Sequence, residues 1–245
     1  MSFVDALTSA RIPLIMEIKP CSASGAELLG GRAPAEVARE YELAGAACLS
    51  VVTGRWFGGS CELLREVTAR TGLPVLQKDF LTTTAHLDRA RELGASAVLL
   101  TSALLAASTM NRLVDGALAR NLTPFVEVRT RGEIDAVRNP AECVIAVNNK
   151  EIKARERGSP DLGRSLALLP DLRRTGTPLP VSAGGVGSPA EAAGLLARGY
   201  RALLVGTALL RAPAISAWVA ELRGRTAHPG LPTAPGTTTP TSTGI

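Results

Sequence analysis

Apolar residues in this chain come in short unbroken runs rather than in alternation. Five stand alone: LIMEIK (14–19), PVLQKD (74–79), TPFVEV (123–128), VIAVNN (144–149) and PLPVSA (178–183). Three more close a recurring module of helical stretch, glycine and apolar run: VAREYELAGAACLSVV (37–52), HLDRARELGASAVLLTS (86–102) and AEAAGLLARGYRALLVGTA (190–208). Gly45, Gly94 and Gly199 sit where a helix ends in the left-handed conformation that glycine tolerates best. Continuous apolar runs suit parallel strands covered on both faces. Eight such strands alternating with helices predict an α/β fold, a single (β/α)8 TIM barrel, with a doubly wound open sheet as the other arrangement this alternation permits. The barrel is expected over residues 1–225. From 226 to 245 Pro, Thr and Gly dominate and apolar residues nearly vanish, which predicts a disordered tail.

Composition narrows the chemistry. Cys21, Cys48, Cys61 and Cys143 are scattered without a Cys-x-x-Cys pair, so they read as small buried hydrophobes in a reducing compartment, and no metal set is expected. The opening segment lacks the basic and apolar parts of a secretion signal, and no apolar run is long enough to span a bilayer, so the cytoplasm is the expected location. The net charge of +5 comes mostly from arginines spread along the chain, and aromatics make up 3%. A nucleic-acid binder would cluster its cations and interleave aromatics, so a small anionic substrate accounts better for the charge. Only Lys19, Lys78, Lys150 and Lys153 are lysines. Where arginine fills the generic cationic roles, a surviving lysine is needed for what lysine does, which includes giving up its proton. His86 lies on a helical stretch and His228 in the tail, so no catalytic histidine is expected.

Polar residues interrupt the carboxyl ends of the apolar runs. Glu17 and Lys19 share one strand face, Lys78 follows Val75–Gln77, Glu127 is embedded in Phe125–Val128, and Asn148 ends Val144–Val147. Burying a charge costs several kcal/mol unless it is paired. Singly, each could be a structural ion pair capping the barrel. Together they mark the mouth where barrels do their chemistry, and mutual proximity with desolvation is expected to push their pKa values toward neutrality. SAGGVGSP (182–189) and VGTAL (205–209) are small-residue turns, with helices expected from near Pro189 and Arg211. Gly185 and Gly206 let backbone N–H groups approach an anion, a helix N-terminus adds a favourable dipole, and the loops after strands seven and eight are the usual phosphate grip of this fold.

EIKPCSASG (17–25), SVVTGRWFGGS (50–60), QKDF (77–80), FVEV (125–128), VNNK (147–150) and LVGTAL (204–209) resemble, in order, the motifs of the indole-3-glycerol-phosphate synthase family. The resemblance implies decarboxylating, dehydrating ring closure of 1-(2-carboxyphenylamino)-1-deoxyribulose 5-phosphate, with no metal and no redox cofactor. It makes Lys78 the general acid on the carbonyl or departing oxygen and Glu127 its acid–base partner in dehydration. Lys19 holds the substrate carboxylate and assists ring closure, while Glu17 and Asn148 orient these groups and the sugar hydroxyls. Ser22, Ser182, Gly184, Gly185, Gly206 and Thr207 are assigned to the phosphate side, and Phe57 and Phe80 to the wall around the aryl ring.

The sequence departs from the family at several points. Ala183 stands where a carboxylate is usual, the motif's usual proline and lysine are Ala23 and Gly25, and Lys150 replaces the arginine after the paired asparagines. Only about a dozen residues precede the first strand, short of the segment that in the family closes over the substrate. Two other readings therefore stay open: a paralogue acting on a different aryl or sugar phosphate in a specialised pathway, and a non-catalytic subunit binding a phosphosugar or a partner. No motif fixes an oligomeric state.

Overall fold

The computed structural model describes residues 1–151 and 158–227. In chain order its elements are α1 (Phe3–Ser9), β1 (Leu14–Ile18), α2 (Pro34–Ala44), β2 (Cys48–Val52), α3 (Cys61–Thr68), β3 (Val75–Lys78), α4 (Thr84–Glu92) and β4 (Ala97–Thr101). They continue through α5 (Ala107–Leu118), β5 (Thr123–Val128), α6 (Arg131–Asp135), β6 (Val144–Asn148), α7 (Leu162–Arg174), β7 (Leu179–Ala183), α8 (Pro189–Arg198), β8 (Ala202–Val205), α9 (Thr207–Leu210) and α10 (Ile215–Ala227). All eight apolar runs are strands. Each pairs in parallel with the next, and β8 returns to β1 through Leu14↔Leu203 and Met16↔Val205, closing the barrel. The open-sheet alternative is thereby set aside.

Strand geometry sorts each run into two sets because successive side chains point to opposite faces. Outward residues such as Leu14, Met16, Leu49, Val98, Val126, Ile145 and Leu203 pack against the helices. Inward residues, including Ile15, Cys48, Leu76, Leu99, Phe125, Val181 and Leu204, fill the barrel. The amphipathic helix α1 adds Phe3, Ala6 and Leu7 to this interior set, and the Phe3 ring meets Phe125 edge-on at 6.3 Å between centroids. Interior residues near the first positions of β2, β4, β6, β7 and β8 belong to the same cluster, so α1 seals the end of the barrel opposite the mouth.

The helix-ending glycines behave as expected, with φ of +90° at Gly45 and +109° at Gly199 where the chain turns into β2 and β8. Three details differ from expectation. The helix after β8 begins at Thr207, and Arg211 ends it rather than starting it. Helix α10 continues through Thr226 and Ala227, where Thr226 Oγ1 donates to the Leu222 carbonyl at 3.1 Å. The remainder of the expected tail, 228–245, lies outside the described residues, as does Lys153. Finally, only Cys48 and Cys143 are buried; Cys21 and Cys61 are half-exposed near the mouth, because the residues around them are loop and helix start rather than strand.

Candidate active site

Alternation along the strands delivers Glu17 from β1, Lys78 from β3, Glu127 from β5 and Asn148 from β6 to the interior at their carboxyl ends, with Lys19 one step beyond β1. These five line one cavity of about 570 Å³ at the mouth. The Glu17 carboxylate sits between two ammonium groups. Lys19 Nζ lies 2.9 Å from its Oε1 and Lys78 Nζ 3.3 Å from its Oε2. Glu17 and Lys19 are buried and Lys78 nearly so. Burial alone would raise the Glu17 pKa, but the Lys19 charge, then Lys78, the Lys19 hydrogen bond and Lys150 outweigh it and bring it down to about 2. Glu17 therefore moves away from neutrality, against expectation: two cations bracket it, whereas the expectation weighed desolvation more heavily.

Backbone contacts fix this arrangement. From α2, the Tyr41 hydroxyl donates to the Glu17 carbonyl at 3.1 Å, and burial raises the phenol's pKa far out of the titrating range. Gly206 is needed on the other side, because a Cβ there would stand 2.5 Å from Glu17 Oε1. Thus Gly206 makes room for the bridging carboxylate, a role its sequence context does not announce. At β3 the outward neighbours of Lys78 are tied down. Gln77 Nε2 donates to Thr53 Oγ1 at 3.1 Å, and Thr53 Oγ1 donates to Asp79 Oδ2 at 2.7 Å. Asp79 Oδ1 then accepts from the Phe80 amide at 2.8 Å, knotting the ends of β2 and β3.

The paired asparagines split by the same alternation. Asn148 faces the mouth, where its Oδ1 accepts from the Lys150 amide at 2.8 Å. Asn149 faces the helices and donates to Ser182 Oγ and to the carbonyls of Ala183 and Gly184, while Ser165 of α7 donates to its Oδ1. Ser182 is wholly buried in that cluster, with its Oγ 2.8 Å from Ser165 Oγ. Its side chain thus points away from the mouth, and its assignment to the phosphate side is corrected: at this strand position the inward residue is Ala183.

Another side of the cavity is lined by Gly184, Gly185, Val186, Gly206, Thr207 and Arg211. Gly184 and Gly185 hold φ of +74° and +83°, with Gly185 packed against Pro160 where no Cβ would fit. Among the described residues, no acceptor takes the N–H groups of Gly185, Val186 or Thr207. Helix α8 contributes less than expected. Its own Glu191 accepts from the Gly187 and Ser188 amides at 2.7 and 3.1 Å, and Ser188 Oγ caps Glu191, so those donors are already used. Ser22 lies to one side. Its Oγ accepts from the Ala26 amide at 3.1 Å and borders an adjoining cleft shared with Ser24, Lys150, Thr207 and Arg211.

Phe57 and Phe80 line a second recess that shares Lys78 and Glu127 with the main cavity. The cations Lys150 and Arg211 and the ring of Trp56 reach these spaces although sequence reasoning did not assign them. For Lys150 the signal was present in the scarcity of lysine. Arg211, five residues past Gly206, carried none. Among the described residues no group of three His, Cys, Asp or Glu side chains gathers as a metal set, and no helix is long and apolar enough to cross a membrane.

Residues 1–222 match the family model described as indole-3-glycerol phosphate synthase. The chain is 34% identical to the indole-3-glycerol phosphate synthase of Azoarcus sp. (strain BH72), over 89% of this chain and 82% of the relative. It is 35% identical to that of Pyrococcus furiosus, over 82% of this chain and 86% of the relative. The crystal structure of 3-hexulose-6-phosphate synthase from Salmonella typhimurium superposes with a TM-score of 0.65 over 87% of this chain and 98% of the other, at 13% identity, which speaks to the barrel alone.

Proposed function

This chain belongs to the indole-3-glycerol phosphate synthase family, and from that premise we propose that its mouth closes the indole ring of 1-(2-carboxyphenylamino)-1-deoxyribulose 5-phosphate. The observation that carries this reading is the Glu17 carboxylate held between Lys19 and Lys78, with Glu127 lining the same cavity. Ring closure forms a bond between the aryl carbon that bears the carboxylate and the ketose carbonyl carbon. The carbonyl oxygen gains a proton, carbon dioxide leaves, and the resulting hydroxyl departs as water. Lys78 supplies the proton to that oxygen from an ammonium group that Glu17 Oε2 holds at 3.3 Å. In dehydration Glu127 takes a proton from the carbon between the nitrogen and the former carbonyl carbon as the C–O bond breaks, and returns it to the departing hydroxyl. Lys19 holds the substrate carboxylate near the ring carbon, and Asn148 orients the sugar hydroxyls.

At the other end, the amides of Gly185 and Thr207, with Gly184 and Gly206 giving close approach, receive the phosphate; Lys150 and Arg211 add charge, and Ser22 borders the site. Phe57 and Phe80 flank the aryl ring. The substrate is a small phosphorylated molecule, and the cytoplasm is the proposed setting. The reading is tested by following indole fluorescence during turnover by wild type and Lys78→Ala. Abolition of ring closure by the substitution is expected, and a folded wild type that binds phosphate without turning over this substrate would sink the reading.

Ala183 favours a second reading. With an alanine lining the cavity where the family usually carries a carboxylate, a paralogue acting on a different aryl or sugar phosphate also fits the mouth. A purely binding role fits less well, because the two lysines converge on Glu17 beside an open cavity instead of splaying from a filled one.

A further inference from the structure

We propose that Trp56 selects the planar aryl group of the substrate: its indole occupies the aryl recess while that is empty, then swings aside and stacks on the incoming ring. This rests on the ring-closing function above and adds to it a specificity residue outside the phosphate grip and the acid–base set.

Trp56 lies in a single 3₁₀ turn, Arg55–Phe57, between Gly54 and Gly58, directly after β2. Its indole is stacked on Phe80 with centroids 5.0 Å apart and planes at 26°, and Phe57 meets it edge-on at 6.5 Å. With these rings in place the recess beside Lys78 and Glu127 encloses about 20 Å³. An apolar cavity that binds benzene holds about 150 Å³. An aryl group cannot enter this recess unless one of the three rings gives way.

Of the three, the Phe57 ring is buried and the backbone at Phe80 is tied down. Phe57 is 6% exposed, its carbonyl accepts from the Cys21 amide at 2.9 Å, and the Lys19 ammonium lies 5.6 Å from its ring centroid. The amide of Phe80 is bound to Asp79 within the knot that joins β2 to β3. Trp56 is 50% exposed, and its indole N–H makes no hydrogen bond among the described residues. Rotation of its side-chain torsions reopens the recess without moving the backbone. The stacking lost against Phe80 is regained against a planar substrate ring, so the exchange is close to neutral for an aryl group. A substituent without a π face offers no such return and meets a closed recess. Selection follows from that difference.

The experiment compares wild type, Trp56→Ala and Trp56→Phe in steady-state turnover of the carboxyphenylamino-deoxyribulose phosphate, with calorimetric binding of inorganic phosphate as control. Loss of the stacking partner is expected to lower kcat/KM about tenfold in Trp56→Ala, chiefly through KM. Trp56→Phe is expected to restore most of it, and phosphate affinity stays unchanged in both. Unimpaired turnover by Trp56→Ala overturns the selection and places the aryl ring instead in the main cavity beside Ala183, leaving the ring-closing function intact. An equal loss of phosphate affinity in Trp56→Ala also overturns it, because the whole mouth has then been disturbed. A wild type that binds phosphate but is inert toward this substrate overturns the ring-closing function, and the role of Trp56 with it.

Discussion

Glu17 is the residue on which the mouth turns. Its carboxyl titrates at about 2 instead of its ordinary 4.5, with the cations Lys19, Lys78 and Lys150 overcoming the opposing effect of burial. Because the folded value lies below the unfolded one, the stabilisation is complete above about pH 4.5 and is lost as the pH falls toward 2. Replacing Glu17 by Gln removes the carboxylate between the two lysines and leaves the buried Lys19 ammonium facing a neutral amide. That change is expected to cost about 3–5 kcal/mol at pH 7. Urea denaturation of wild type and Glu17→Gln at pH 7, 4 and 3 measures it. The gap should narrow at pH 4 and again at pH 3 as the unfolded wild type takes up the proton first. A gap that stays constant across this range would mean that Glu17 is not the charged member of the bridge. The sequence pattern indicates a paired Glu17 and Lys19, since spacing by two puts them on one face. It does not indicate that Lys78 shares the carboxylate, because that contact joins β1 to β3 across the closed barrel.

At the scale of elements, the eight strands and their order were legible because each is an unbroken apolar run, and three of them follow a helical stretch that ends on a glycine. Site positions were legible wherever a charge interrupts an inward position, as at Lys78 and Glu127. They were less so where the strand carries no charge. Ser182 and Ala183 are neighbours at the end of β7, and only the phase of the alternation says which one faces the mouth. Family resemblance assigned Ser182 to the phosphate, whereas its hydroxyl bonds Asn149 and Ser165 behind the sheet. The amide of Asn149 also holds the carbonyls of Ala183 and Gly184, so this cluster links α7, β6 and the turn after β7. Ser182→Ala is therefore expected to lower stability by about 1 kcal/mol and to leave phosphate affinity unchanged. Thermal unfolding and phosphate titration separate the two effects. Weakened phosphate binding at unchanged stability would return Ser182 to the anion site.

At the scale of the whole molecule the barrel divides its labour between two ends. Chemistry collects at the carboxyl ends of the strands, where charge and small residues replace the apolar filling. The opposite end is closed by α1, whose Phe3 and Leu7 continue the interior cluster and whose Phe3 carbonyl accepts from Cys48 Sγ at 3.6 Å. Burial raises the Cys48 thiol well above its ordinary range, so it serves as a packed donor and not as a nucleophile. The residues before β1, read in the sequence only as too short to cover the substrate, seal the barrel's floor. Stability and catalysis should then separate along the barrel axis. Truncating the buried Phe3 ring to Ala leaves a cavity against Phe125, with an expected cost of about 3–5 kcal/mol. Interior side chains such as Ile15, Leu99 and Phe125 itself separate that cavity from Glu17, Lys78 and Glu127 at the mouth, and close-packed interiors confine such a loss to its neighbourhood. Phe3→Ala should thus shift the urea midpoint strongly, while kcat/KM of the protein that remains folded at 25 °C stays within about twofold of wild type. A large fall in kcat/KM without loss of folded protein would show that the floor and the mouth are coupled through the core, and that α1 positions the catalytic strands as well as stabilising them.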